Sequence, residues 1–379
     1  MDHRTMNRGE NPSVLGYGCM RFPLDRETHK IDRELSTELL RKAMAAGVTY
    51  YDTAWPYHNG ESESFIGEVL SQYPRDSYYL ATKLPCWATD SREKGAEIIE
   101  EQLKRLKTDY IDFYLIHALD KKRWEKMLEL GIPSLLEEYQ QQGKLRNLGF
   151  SFHDDYEVFE EILTYRKWDF CQIQLNYMDT EHQAGLKGLE LARSMGIPVV
   201  VMEPVKGGSL AQPPEEVLEP LQALNPQLTP AAWAMRWVAS QPGVHVVLSG
   251  MTTMEQLDDN LSTFSPFVRL DEKEEQAVKE TAKRLRQRVK NGCTACGYCM
   301  PCPAGVDIPK NFHIWNLMSM YQNQRDIRQR WKETEEKAKA SQCIKCGACE
   351  KLCPQHIPIR EHLSFVAEEV EAFTAKTDR

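Results

Sequence analysis

Four side chains at the ends of successive apolar runs could do acid–base chemistry in this 379-residue chain. Asp52 closes the run Val48, Thr49, Tyr50, Tyr51, and Tyr57 follows it in a short loop. Lys83 stands in Ala-Thr-Lys-Leu and His117 in Tyr-Leu-Ile-His. A tyrosine hydroxyl can give up a proton, but it titrates near about 10 unless a neighbouring cation stabilises the phenolate. Lys83 is the candidate cation, Asp52 the carboxylate to pair with it, and His117 a hydrogen-bonding group for a substrate oxygen. Each has a plainer reading alone: a surface Tyr, a snorkelling Lys, a satisfied core His. Sulfur is the second concentration of chemistry. Cys19, Cys86 and Cys171 are scattered, whereas the other eight of eleven cysteines lie between Cys293 and Cys353. A disulfide framework suits a short secreted chain, so two tight clusters in a chain of this length point to metal.

The elements that must hold these residues alternate regularly. Apolar, β-branched runs predict strands over Leu15–Phe22, Thr49–Asp52, Tyr78–Lys83, Ile111–His117, Asn147–Ser151, Phe170–Leu175, Val199–Glu203 and His245–Ser249. Helical spacing follows each one: Arg33–Ala46, Glu63–Ser71, Ser91–Leu106, Ile132–Gln142, Tyr156–Tyr165, His182–Met195, Pro230–Gln241 and Met254–Phe264. Eight such units predict an α/β chain with a (β/α)8 TIM barrel, and a barrel of that kind places its chemistry at the carboxyl ends of the strands. Domain boundaries are expected at 1–285 for the barrel and 286–379 for a small, metal-dependent domain. Ile314–Ser341 is helical in composition, so the small domain reads as mainly α-helical.

Composition excludes several function classes. Apolar residues make up 41% of the chain and charged ones 27%, as in ordinary globular proteins. A net charge of −9 argues against a nucleic-acid partner, since phosphate binding needs clustered Lys and Arg. No apolar run reaches the roughly 18 residues of a membrane span, and Met1–Pro12 lacks a signal-peptide core. A cytoplasmic location with no membrane partner is expected.

The set Asp52, Tyr57, Lys83 and His117, with Gly60 and Glu63 beside it, resembles the catalytic tetrad of the aldo/keto reductase family in type, order and strand-end position. The resemblance implies reduction of a small aldehyde or ketone by NAD(P)H, with Tyr57 as general acid. It carries over further cofactor contacts. Ser151 in Gly-Phe-Ser and Gln172 in Cys-Gln-Ile-Gln match the pair that holds the nicotinamide carboxamide, and Met202 stands where an aromatic commonly stacks on the ring. Lys206, in a Gly-rich loop after the seventh strand, matches the segment folded over the pyrophosphate; a plain surface loop is the alternative. Gly250, Gln256, Asp259 and Asn260 match the adenosine site. Relatives that use NADP place Lys or Arg there, so NADH is expected to serve at least as well as NADPH.

The cysteines read Cys293-x2-Cys296-x2-Cys299-x2-Cys302-Pro and Cys343-x2-Cys346-x2-Cys349-x3-Cys353-Pro. This resembles the two-cluster ferredoxin pattern, in which three close thiolates bind one [4Fe–4S] cluster and the fourth reaches the other. The resemblance implies Cys293, Cys296, Cys299 and Cys353 on one cluster, and Cys343, Cys346, Cys349 and Cys302 on the second. Structural zinc is the competing metal. Aldo/keto reductase barrels with such a C-terminal module form a subfamily that the whole chain resembles. Two alternatives stay open: an electron-transfer oxidoreductase whose clusters serve a redox protein partner, and a non-enzymatic nicotinamide or redox sensor.

Overall fold

A computed structural model describes residues 1–25 and 27–375. They fall into two compact units, 1–204 with 232–271, and 205–231 with the described residues from 272 on.

In the first unit the strands are β1 (Leu15–Gly18), β2 (Tyr50–Asp52), β3 (Tyr79–Pro85), β4 (Ile111–Leu119), β5 (Leu145–Phe152), β6 (Cys171–Gln174), β7 (Val199–Met202) and β8 (Val244–Ser249). They close in sequence order into an all-parallel barrel, with β1 paired to β8. The expected TIM barrel is therefore present, with a helix after each strand as predicted. Several bounds shift by one to four residues; β1, expected to run to Phe22, ends at Gly18. The helix expected from His182 starts only at Gly185, for example, because Gln183 and Gly185 both have positive φ.

Register decides which residues share the barrel interior. Asp52 pairs with Ala81, and Lys83 lies two residues beyond Ala81 on the same face. Lys83 pairs with Leu115, and His117 lies two beyond that. Ser151 pairs with Gln172, and Gln172 with Val200, two before Met202. Side chains alternate with period two along a strand, so all these point inward. Beneath them Tyr50, Ala81, Phe113, Leu115, Phe170 and Val200 fill the barrel as a packed core.

The second unit has its own core, built from residues such as Ile308, Phe312, Trp315, Trp331, Leu363 and Val366. Its longer helices are Glu272–Gln287, Ile308–Tyr321, Gln324–Lys332 and Ile359–Ala375, with short ones at Glu219–Gln222 and Ala348–Leu352. The expected helical stretch over 314–341 is broken at Gln322, in left-handed conformation, after which Asn323 caps the next helix through Asp326 N. The loop after β7 belongs here because Glu219 pairs with Arg284 at 2.7 Å and Glu216 with Arg288.

Candidate functional site

The sequence around Tyr57 folds tightly because His58 and Asn59 both adopt positive φ. Tyr57 N donates to Ala54 O at 3.1 Å, and His58 Nε2 accepts from Phe22 N at 3.3 Å. This loop brings the Tyr57 hydroxyl to Lys83. Lys83 Nζ donates to Asp52 Oδ1 and Thr53 O, both at 2.7 Å, and to Tyr57 Oη at 3.3 Å. Lys83 and Asp52 are buried. The Tyr57 and His117 rings meet edge to face at 6.2 Å. The four residues expected to act together are thus one constellation.

Burial alone would lower the Lys83 ammonium, but Asp52 and Tyr57 more than offset it and hold Lys83 protonated above its usual range. Burial raises the Tyr57 phenol; Lys83 lowers it, as expected from the sequence, but does not win. Tyr57 is accordingly a neutral donor around neutral pH. Burial, with Lys83, His153 and Arg123 adding to it, pushes His117 well below the ordinary imidazole range, so it too is neutral. Its Nδ1 and Asp52 Oδ2 are buried without a hydrogen-bond partner.

A second network sits on the outward side of β3. Thr82 Oγ1 and Gln102 Nε2 each donate to Glu63 Oε1 at 2.6 Å, and Tyr114 Oη donates to Gln102 Oε1 at 2.6 Å. Gln102 Nε2 also donates to Lys83 O at 3.0 Å, which ties the lysine's backbone to this buried carboxylate.

The carried-over cofactor residues are placed as follows. Ser151 Oγ accepts from Ala118 N at 2.7 Å, and its neighbour Gln172 has a buried Oε1 without a partner. Met202 is half-buried at the end of β7, and Glu203 beyond it is exposed, so its carboxylate is solvated. Gln256 Oε1 accepts from Thr252 N at 2.8 Å, and Asn260 Nδ2 donates to Ser249 Oγ at 2.9 Å, fixing the end of β8. Asp259 O accepts from the Ser262 and Thr263 hydroxyls. Lys206 belongs to the second compact unit, so the barrel geometry by itself does not gather it with Ser151 and Gln172.

Three residues near these groups were not singled out from sequence. The Trp87 ring, 50% exposed, lies 5.0 Å from His117, and Arg123 stands 5.8 Å over Trp87. The Arg21 side chain runs across Gly250, where an added Cβ would come within 2.9 Å of it. The signal in Trp87 was an exposed aromatic just past a strand end; Arg21 gave none.

The two cysteine segments share local backbone features at their starts and ends, while between them the second forms a short helix, Ala348–Leu352, and the first only turns. Ala295 and Lys345 both take positive φ (56° and 55°), as do Gly297 and Gly347 (78° and 76°). The match continues past the Cys-Pro pairs. Gly305 N donates to Cys302 O and His356 N to Cys353 O, and each turn leads through a buried apolar residue, Val306 or Ile357, into a helix. Cys302 thus occupies the place in its repeat that Cys353 has in the other, despite the shorter spacing before it. Cys293, Cys296, Cys299 and Cys353 line one small recess, walled by Ile308, Phe312 and Ile359. Cys302, Cys343 and Cys349 pack against the same core, while Cys296 and Cys346 are exposed. Among the described residues no three Cys, His, Asp or Glu side chains stand at single-ion distances.

A family profile described as aldo/keto reductase family matches residues 14–283, and one described as 4Fe-4S dicluster domain matches 292–357. The NADH-specific methylglyoxal reductase of Escherichia coli (strain K12) is 24% identical over 305 residues, covering 68% of this chain and 90% of its own. L-galactose dehydrogenase of Arabidopsis thaliana is 24% identical over 310 residues, covering 74% and 94%. The fold is shared with a Klebsiella pneumoniae aldo-keto reductase solved in complex with NADPH, at a TM-score of 0.60 and 21% identity over 73% of this chain and 94% of that one. The dicluster match favours iron–sulfur over zinc for the cysteines. Among the described residues no helix is long and apolar enough to cross a membrane. This chain belongs to the aldo/keto reductase family and is an oxidoreductase of that family with a C-terminal 4Fe-4S domain.

Proposed function

We propose that the chain reduces a small aldehyde or ketone to an alcohol with NAD(P)H, with Tyr57 as the proton donor, and that its eight clustered cysteines hold two [4Fe–4S] clusters. One observation carries the catalytic part: a single buried ammonium, Lys83 Nζ, shared between Asp52 Oδ1 and Tyr57 Oη. A carbonyl oxygen held by the Tyr57 hydroxyl and the neutral His117 ring receives its proton from Tyr57. Lys83 stabilises the phenolate left behind, and Asp52 keeps Lys83 in place.

The residues present fit a nicotinamide. Gln172 Oε1 is a buried acceptor without a donor, and Ser151 Oγ, though it accepts from Ala118 N, keeps its own proton to donate. A carboxamide offers both complements. Bound in reduced form, the cofactor supplies the hydride. Gly250, Gln256, Asp259 and Asn260 are assigned to the adenosine end, Lys206 to the pyrophosphate and Met202 to the ring face. Arg21 beside Gly250 is a cation for a 2′-phosphate, which supports use of NADPH; the name of the E. coli relative pairs NADH with methylglyoxal and supports NADH.

The cysteines fit as well. The recess gathers Cys293, Cys296, Cys299 and Cys353, the set proposed for one cluster, and the like place of Cys302 and Cys353 in the two repeats supports Cys343, Cys346, Cys349 and Cys302 for the other. Bound there, each cluster supplies one-electron transfer. The exposed Cys296 and Cys346 favour a second role, exchange of electrons with a partner protein.

Anaerobic assays of small aldehydes with both cofactors test this reading. Tyr57→Phe is expected to lower turnover by about 10²–10⁴-fold while cofactor binding, read by fluorescence, stays unchanged. Normal turnover in that variant would remove Tyr57 as the acid. Arg21→Ala should weaken NADPH binding and spare NADH; an unchanged ratio removes Arg21 from the cofactor site.

A further inference from the structure

The two cysteine segments correspond in sequence but differ in surface, and the second also carries the short helix Ala348–Leu352. The first, 291–306, contains no charged residue, and it exposes Tyr298 at 67% together with Thr294, Ala295 and Cys296. The second, 343–353, exposes Ile344 at 66% and Leu352 at 58%, together with Lys345, Lys351 and Cys346. Its one acid, Glu350, is already taken: Arg360 Nε and Nη2 reach Oε2 at 2.9 and 2.7 Å, and Arg360 N donates to Oε1 at 2.9 Å. Lys345 and Lys351 have no ion-pair partner among the described residues. Two unpaired cations and two exposed aliphatic side chains therefore share the eleven-residue loop that carries the exposed thiol Cys346.

From this asymmetry we infer that the loop 343–353 is the docking face for an acidic one-electron carrier protein, with Lys345 and Lys351 orienting the partner and Ile344 and Leu352 supplying the apolar contact. The inference rests on the cluster reading above. The chain as a whole carries −9, so an acidic partner is repelled by most of its surface. Opposed local charge is what selects one approach, and steering of this kind raises association rates by about 10–10³-fold at low salt. A small contact with an apolar centre and a charged rim suits a transient electron-transfer encounter. The first loop has no charge to orient a carrier.

A matched pair of probes tests this: native cytochrome c, which is basic, and its lysine-succinylated form, which is acidic. The full-length holoprotein is reduced with dithionite and mixed with each form in a stopped-flow instrument. One electron leaves a reduced cluster, which returns to its oxidised state as ferric haem becomes ferrous, and no proton moves. Iron content and the electron paramagnetic resonance of both clusters are checked first in the wild type and in Lys345→Glu/Lys351→Glu. The wild type is expected to reduce the acidic form about tenfold faster than the basic one at low salt. That margin should vanish by about 0.2 M salt, where the Debye length is short. The double variant, with both clusters intact, should reverse the preference. A wild type that prefers the basic form, or a variant with intact clusters and unchanged rates, overturns the docking face. A wild type that holds no second cluster overturns the cluster reading itself, and the iron count tells that failure from the others.

Discussion

At Tyr57 burial and Lys83 pull in opposite directions, and the net effect leaves the phenol above its ordinary value of 10.0. A donor that must be protonated works below its pKa, so carbonyl reduction should hold steady from about pH 6 to about pH 9 and fall only as pH rises through the Tyr57 pKa. The reverse reaction needs the phenolate and should rise over the alkaline range instead. His117 lies well below 6.5 because it is buried among Lys83, His153 and Arg123, so it contributes no inflection near its usual value. Turnover measured against pH at saturating cofactor checks both signs. An inflection near about 6.5 that disappears when His117 is replaced would show a charged imidazole and overturn this account of the site. The constellation of Asp52, Tyr57, Lys83 and His117 was legible because each sits at or just past a strand end, where residue type and sequence position together suggest a role. Arg21 was not, because its nearness to Gly250 comes from the pairing of β1 with β8, between residues over two hundred positions apart. Nor could residue types alone show that burial would outweigh Lys83 at Tyr57.

At the scale of elements, β3 has to present Lys83 inward while its other face meets the helix Arg92–Arg105. Gln102, on that helix, spans the interface by donating both to Lys83 O and to Glu63 Oε1, while Arg105 approaches Glu63 Oε2 at 3.5 Å. A buried carboxylate stripped of such partners, or partners stripped of the carboxylate, leaves unsatisfied groups in low dielectric. Glu63→Ala is therefore expected to cost about 3–5 kcal/mol of stability, read as a lowered denaturant midpoint. Glu63→Gln keeps the acceptor for Thr82 and Gln102 and should cost less. Equal losses in the two variants would mean that the network is not what holds β3. The barrel strands and their helices were legible from alternating apolar periodicity, whereas the helix Lys121–Glu129 carries too little of it to be predicted. It is short and mostly charged, and Trp124 and Met127 are the residues it buries. What starts it is Asp120, whose side chain accepts from Arg123 N at 2.7 Å, a cap that is easily passed over when the apolar face is so thin.

For the whole molecule the question is how two kinds of redox chemistry share one chain. Nicotinamide delivers two electrons as hydride, whereas an iron–sulfur cluster handles one at a time, and no flavin-binding signature in the sequence links them. The fold gives each chemistry its own supporting core: the barrel interior beneath the Lys83 constellation, and the helical core behind the cysteine loops. The hydrogen bonds that position Tyr57, Lys83 and Asp52 all lie within the first compact unit. Cluster loss should therefore separate the two activities. Replacing Cys346 and Cys349 by Ser removes two of the four thiolates assigned to one cluster and leaves the constellation untouched. Metal sites also stabilise small domains, so local loosening of the helical unit is expected in this variant, and the barrel's own unfolding transition must be followed separately. With that transition unchanged, reduction of a small aldehyde by NAD(P)H should stay within about twofold of the wild type, because no residue that binds or protonates the carbonyl has been altered. Electron delivery to succinylated cytochrome c should be lost, along with one cluster signal in the paramagnetic resonance spectrum. If aldehyde turnover instead falls in step with electron delivery while the barrel remains folded, the clusters lie on the path of carbonyl reduction, and a reductase working through Tyr57 and the nicotinamide alone is the wrong description.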